Sequence, residues 1–202
     1  MKNIKVLVFT VGVCLIAWPV CARASLAVDF TNPPLDTSDG FSWSLGWAFT
    51  VNEPILVQSL GFYDDQKNGL TESHDVGIFN SAHALIVSGQ VQPSDPLISW
   101  WRWTDVTPTW LVPQEEYQIA AVTGPTEKYA VHIADLVVDP RVNYLLDSYY
   151  SVTSGVLMYP DASGLSVSTF GPNFSIPVPA PGALLLLVPG LAGVFGLRRR
   201  LG

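Results

Sequence analysis

Cysteine and histidine are nearly missing from this chain: its 202 residues carry two of the first and three of the second. Both cysteines, Cys14 and Cys21, fall within the first 24 residues. The remainder has no disulfide framework, no thiol nucleophile and no thiolate metal site, so its stability must come from burial. His74, His83 and His132 stand too far apart in sequence to show a metal-ligand spacing. Basic residues are scarce too. Across residues 25–176 only four of them, Lys67, Arg102, Lys128 and Arg141, oppose all 17 acidic residues, a net charge of −13. A surface this acidic repels phosphate backbones, which argues against nucleic acid as a partner. There is no nucleophile elbow, no glycine loop shaped for phosphates and no acidic pair in a recognisable catalytic context. The expectation is a protein that is not an enzyme. The many carboxylates leave room for pairs that a sequence does not display, so an extracytoplasmic hydrolase stands as the second alternative.

The two ends of the chain say most. Residues 1–24 read as a secretory signal peptide: Lys2 and Lys5 supply the positive region, residues 6–18 the apolar region, and Ala22-Arg23-Ala24 a small-x-small cleavage site before Ser25. Thirteen apolar-region residues are too few to span a bilayer comfortably, so cleavage is expected rather than anchoring. A lipoprotein would use Cys21, but Val20 and Trp18-Pro19 precede it where small residues belong. At the other end, residues 178–197 form a run of 20 without a charge. A helix rising about 1.5 Å per residue carries that run across about 30 Å of hydrocarbon. Arg198, Arg199 and Arg200 follow and, by the positive-inside bias, hold that end in the cytoplasm, leaving residues 25–176 outside. Pro189-Gly190 interrupts the run, which membrane helices tolerate, and Pro181 suits a first helical turn.

Val178-Pro179-Ala180-Pro181, the Leu- and Gly-rich apolar segment and Arg198-Arg199-Arg200 together resemble the PEP-CTERM sorting signal of Gram-negative bacteria. The resemblance implies recognition by exosortase, a membrane-embedded, transpeptidase-like cysteine enzyme. It also implies passage from a tethered periplasmic state to the cell surface or an exopolysaccharide matrix. Ala180 stands where that family has Glu, so one charge-assisted contact is missing. The tail is thus residues 177–202 and the domain before it residues 25–176.

That domain, 152 residues long, is patterned as β throughout. Phe41, Trp43, Leu45, Trp47 and Phe49 alternate with Ser42, Ser44, Gly46, Ala48 and Thr50, one large apolar face against one small one. Residues 55–63 give a second strand whose apolar phase switches, predicting a bulge near Gln58-Ser59. Further strands are expected at 76–79, 84–91, 98–104 and 117–122, and weaker ones at 142–146, 156–159 and 166–170. Residues 130–138 read equally as a helical turn or a strand. Proline and glycine punctuation at these intervals predicts an antiparallel β-sandwich, jelly-roll or immunoglobulin-like. The stretch 111–119 resembles a tyrosine corner, with Tyr117 bonding back to the preceding loop and Leu111 and Ile119 facing the core. The segments 59–64, 69–70, 73–79, 111–121 and 170–174 are similar to a secreted bacterial domain family of unknown function, which implies a sandwich and no particular chemistry.

Three candidate sites follow. Asp64, Asp65, Asn68 and Asp75 gather hard oxygens between two strands, a candidate calcium site. Lys67 and the wrong spacing exclude an EF-hand, and an acidic hairpin loop turning at Asn68-Gly69 is the alternative. Trp100, Trp101 and Trp103 are the candidate platform for a carbohydrate-binding module facing exopolysaccharide, since aromatic faces complement the C–H faces of sugars. The alternative is that they fill the core. His74 beside Asp75 is an acid–base candidate, but strand neighbours point to opposite faces, which favours a structural role.

Overall fold

The period-two run around Trp47 becomes a central strand of a six-stranded sheet in the computed structural model, which describes residues 24–32, 35–38, 40–131, 135–151, 155–163 and 170–178. Along the chain the first strands are β1 Ala24–Leu26, β2 Val28–Asp29, β3 Leu35–Thr37, β4 Ser44–Val51 and β5 Ile55–Tyr63. A 3-10 turn at Asp65–Lys67 precedes β6 His74–Asn80, β7 Leu85–Val91, β8 Leu97–Ile98, β9 Trp101–Leu111 and β10 Tyr117–Val122. Then come β11 Tyr129–Val131, β12 Val137–Val138, β13 Val142–Ser151, β14 Ala162–Ser163 and β15 Pro172–Pro177. One sheet has the order β1-β15-β5-β9-β8 and the other β14-β13-β4-β10-β6-β7, while β11-β3 and β12-β2 form two-stranded pairs. Pairing is antiparallel throughout the described residues. The chain is therefore all-β there, with no α-helix and no helix long and apolar enough to cross a membrane among the described residues. Residues 1–23 of the expected signal peptide and all of the expected membrane helix beyond Val178 lie outside those residues.

Alternation drives one face of each sheet into a shared core. Ile55, Val57, Leu60, Phe62, Leu111 and Phe174 enter it from the first sheet; Trp47, Phe49, Val76, Ile78, Tyr117 and Ile119 enter it from the second. Rings bridge the two: Phe49 lies 4.9 Å from Phe174 and Trp47 lies 6.0 Å from it, centroid to centroid. The small face of β4 is buried as well. A Cβ placed on Gly46 would come 1.7 Å from the Ile119 carbonyl oxygen, so only glycine lets β10 lie this close.

The expected bulge is present. The β5–β9 register shifts between Val57 and Ser59, where Val106, Thr107 and Pro108 of β9 stand against Gln58 alone. Val57 and Leu60 consequently both reach the core. Other boundaries differ from expectation. The strand foreseen at 98–104 is broken by a turn at Ser99-Trp100, with Ser99 at φ 56°, so β8 folds back on β9. β9 itself runs on to Leu111 despite Pro108, because the register shift absorbs the missing donor. Residues 156–159 form no strand, β13 extends to Ser151, and most of 166–170 lies outside the described residues. The described part of the ambiguous stretch 130–138 contains the last two residues of β11 and all of β12. The loop 64–73 is not a hairpin: β5 and β6 belong to different sheets, so it crosses the gap between them.

The tyrosine corner forms as expected. The Val112 N–H donates to the Tyr117 hydroxyl at 2.9 Å, and that hydroxyl donates to Glu115 Oε2 at 3.0 Å. Leu111 and Ile119 are fully buried. Burial, followed by the bond to Glu115, pushes the phenol pKa up despite the opposing Val112 bond. Tyr117→Phe should keep the ring packing and lose the hydroxyl bonds, costing about 1 kcal/mol. A urea midpoint unchanged from wild type would show that the corner contributes nothing.

β1 and β15 bring the two ends of the domain together, with Ala24 opposite Pro177 and Ser25 opposite Ile176. Asp139 clamps this edge. It accepts from the Ser25 hydroxyl and, in bidentate fashion, from Arg141 Nε and Nη2 at 2.9 Å each. Burial pushes the Asp139 carboxyl up, but the Arg141 guanidinium and the Ser25 hydroxyl outweigh it and bring the pKa from 3.8 to about 2.

Candidate functional site

Sequence brings charged side chains to the 64–73 crossover, and the fold then uses them to fasten it. Asp64 follows the last residue of β5 and is wholly buried. Its Oδ2 accepts from Arg102 Nε at 2.7 Å, and both oxygens lie within 3.2 Å of the Gly69 N–H. Arg102 also donates to the Asp95 carbonyl at 2.9 Å. Asp65 pairs with Lys128 at 3.3 Å, and Lys67 sits 3.9 Å above the Trp100 ring. Gly69, at φ 106°, makes the turn expected of it, while Asn68 stays at φ −100°.

These contacts correct the calcium expectation. Asp64 has its carboxylate spent on an arginine, Asp65 faces a lysine, and Asp75 lies on β6 accepting from Gln90 Nε2 at 3.0 Å. The four proposed ligands do not converge, and no group of three or more His, Cys, Asp or Glu able to hold a metal occurs among the described residues. Arg102 occupies the place of the cation: it neutralises Asp64 from inside the protein.

The three candidate tryptophans are corrected likewise. Trp100, Trp101 and Trp103 are all buried, at 8%, 0% and 5% exposure. Phe30 covers the first two, lying 5.4 Å from Trp100 and 5.0 Å from Trp101, and the Trp100 indole donates to the Phe30 carbonyl at 2.9 Å. The Trp103 ring lies over Gly61, 3.0 Å from where a Cβ would be, and its N–H donates to the Ile98 carbonyl at 3.2 Å. Alternation correctly put Trp101 and Trp103 on one face. It gave no warning that the segment around Phe30 would cover that face. Among the described residues the tryptophan most open to solvent is Trp110, 61% exposed.

At the far end of the crossover lies a buried polar cluster in which Glu127 takes a part that sequence did not single out. Glu127 accepts from both the backbone N–H and the hydroxyl of Thr71. His74 is 1% exposed and stacks on Phe62 at 3.8 Å, with the planes 8° apart. Its Nδ1 lies 2.9 Å from the Val122 carbonyl. Since a carbonyl only accepts, Nδ1 carries the proton and Nε2 presents a lone pair. Nε2 and Glu72 Oε1 have no protein hydrogen-bond partner among the described residues. Asp75 points to the other face, as strand geometry requires.

A neutral imidazole with a free lone pair is chemically a base, but this one is buried between Phe62 and strand β10. Burial lowers the His74 pKa against the raising influence of the Val122 carbonyl and of Glu127, Glu72 and Asp75. The unfolded chain, titrating at 6.5, therefore binds a proton that the folded chain refuses. Stability is expected to be independent of His74 above that pH and to fall as pH drops through 6.5 towards the lowered folded value. His74→Gln should flatten this slope. Urea midpoints at pH 7.5 and 5.5 decide it, and equal pH dependence in wild type and variant would refute it.

Of the sorting residues, Val178 is described, 39% exposed just after β15, and Pro179, Ala180, Pro181, Arg198, Arg199 and Arg200 lie outside the described residues. The chain matches no protein-family model, and no curated protein matches its sequence.

Proposed function

We propose that this protein is an exported, membrane-tethered component of the cell surface or extracellular matrix, sorted through its tail by an exosortase-type enzyme and acting without catalysis. Its working part is a β-sandwich of jelly-roll type, a reading supported by the shared core and by a chain that repeatedly changes sheet. The pairing of Ser25 with Ile176, the first and last residues of the domain, carries the reading. The two segments written for a membrane, residues 1–24 and 177–202, join the domain at neighbouring positions of one sheet edge. The buried fate of Asp64, His74 and Glu127 supports a structural part for the groups best suited to chemistry.

The experiment is intact-mass measurement of the protein from hosts with and without the processing enzyme. A mass lowered by removal of the leader and of part of the tail is expected in the first host, and a retained tail in the second. The same mass in both would reduce the tail to an anchor. The carbohydrate-binding reading loses Trp100, Trp101 and Trp103, yet a different surface of the domain favours a sugar ligand.

A further inference from the structure

On the outer face of the six-stranded sheet, β6, β7 and the segment 155–160 flank an open groove of about 320 Å³, lined by Asp75, Ser88, Gly89, Gln90 and Leu157. That volume falls in the range of small-molecule sites, about 300–1,000 Å³. Its polar side is already ordered. Asp75 and Gln90 are register partners, the Gln90 amide donates to Asp75 Oδ1 at 3.0 Å, and Gln92 donates to Gln90 Oε1 at 2.7 Å. Ser88 stands one step along the same face, opposite Gly77. The apolar wall exists because Gly77 has no side chain. A Cβ there would come 2.9 Å from Leu157 Cδ2 and 2.6 Å from Leu85 Cδ1, so the leucines rest on bare backbone. The segment bearing Leu157 is itself fastened. The Gly155 N–H donates to the Ser42 carbonyl at 2.7 Å, Ser44 Oγ donates to the Met158 carbonyl at 2.8 Å, and Tyr159 stacks on His83 at 3.6 Å.

We propose that this groove binds one unit of a neutral saccharide. A carboxylate, a primary amide and a hydroxyl within one small groove offer acceptors and donors in the mixture that vicinal sugar hydroxyls need. Leu157 supplies the surface for the C–H face of the ring. An anionic sugar is disfavoured, because Asp75 faces the groove in a span of net charge −13 with only four basic residues. A divalent cation is disfavoured too, since Asp75 is the one carboxylate among the lining residues. The proposal deepens the matrix-component reading and names the ligand class through which the domain would hold its surroundings.

The test is calorimetric titration of the full chain, kept in solution by a phosphocholine detergent that carries no sugar. The probes are cellohexaose, mannohexaose and a galacturonic acid hexamer. Saturable binding of at least one neutral hexasaccharide is expected, at least tenfold tighter than the acidic one. Asp75→Ala with Gln90→Ala should weaken it by tenfold or more, and Ser88→Trp should block it by filling the groove. Trp110→Ala, at the exposed tryptophan, should leave it unchanged. All these positions face solvent at least in part, and matching thermal midpoints would confirm that the variants fold. No saturable binding of either neutral sugar, or binding that survives both groove variants, would overturn the proposal. The titration does not depend on where the cell sends the protein, so a wrong location and a wrong ligand remain distinguishable.

Discussion

Trp47→Ala is expected to cost about 4 kcal/mol and to lower the urea midpoint by about 2 M. The indole is wholly buried, packs on Phe49 at 5.1 Å and faces Phe174 of the opposite sheet at 6.0 Å and Phe170 at 6.2 Å. Its N–H also donates to the Pro172 carbonyl at 3.0 Å, at the start of β15. Truncation therefore opens a large cavity between sheets and leaves a buried carbonyl short of its donor. Trp47→Phe should cost less, about 2 kcal/mol, because most of the volume stays and only the hydrogen bond and part of the ring go. Far-ultraviolet circular dichroism follows unfolding without relying on the fluorophore being removed. If alanine cost under 1 kcal/mol, the two sheets would not be sharing a core through this residue.

Arg102→Met is expected to cost about 3 kcal/mol, because it strands a wholly buried carboxylate with only the Gly69 N–H to satisfy it. The loss should come from the missing partner and not from missing volume, since methionine retains the apolar stem. Replacing both members, Asp64→Asn with Arg102→Met, should recover most of the stability by removing the uncompensated charge. Additivity of the two single variants would mean that the residues act independently and would sink the ion-pair account. Calcium chloride should leave the wild-type melting temperature unchanged, as expected of a loop whose acid is neutralised by arginine.

Strand identity was legible wherever alternation was strict. The strands containing Trp47, Phe62 and Ile119 follow directly from period-two patterning, and even the bulge opposite Gln58 left its trace as a switch of phase. The tyrosine corner was legible because its signal is local, with Tyr117 reaching back only to Val112. Contacts across long separations were not. Nothing near Asp64 announces that Arg102, 38 positions on, will neutralise it, and carboxylates in a loop look the same whether they await calcium or an arginine. The tryptophans failed for a related reason: alternation assigns a face but not what covers it, and Phe30 lies some 70 positions before Trp100. The groove at Asp75 escaped notice because its key feature is an absence, the missing side chain of Gly77, which gives Leu157 its seat.

The most direct test of the central claim, an exported domain tethered by its tail, is protease shaving of intact cells. It compares the full chain with a version truncated after Val178. The account predicts that the full-length protein stays cell-associated and is digested by external protease. The truncated protein should be exported, folded and released into the medium or periplasm. Recovery of either form from the cytosol, protected from protease and still carrying its first 24 residues, would contradict it.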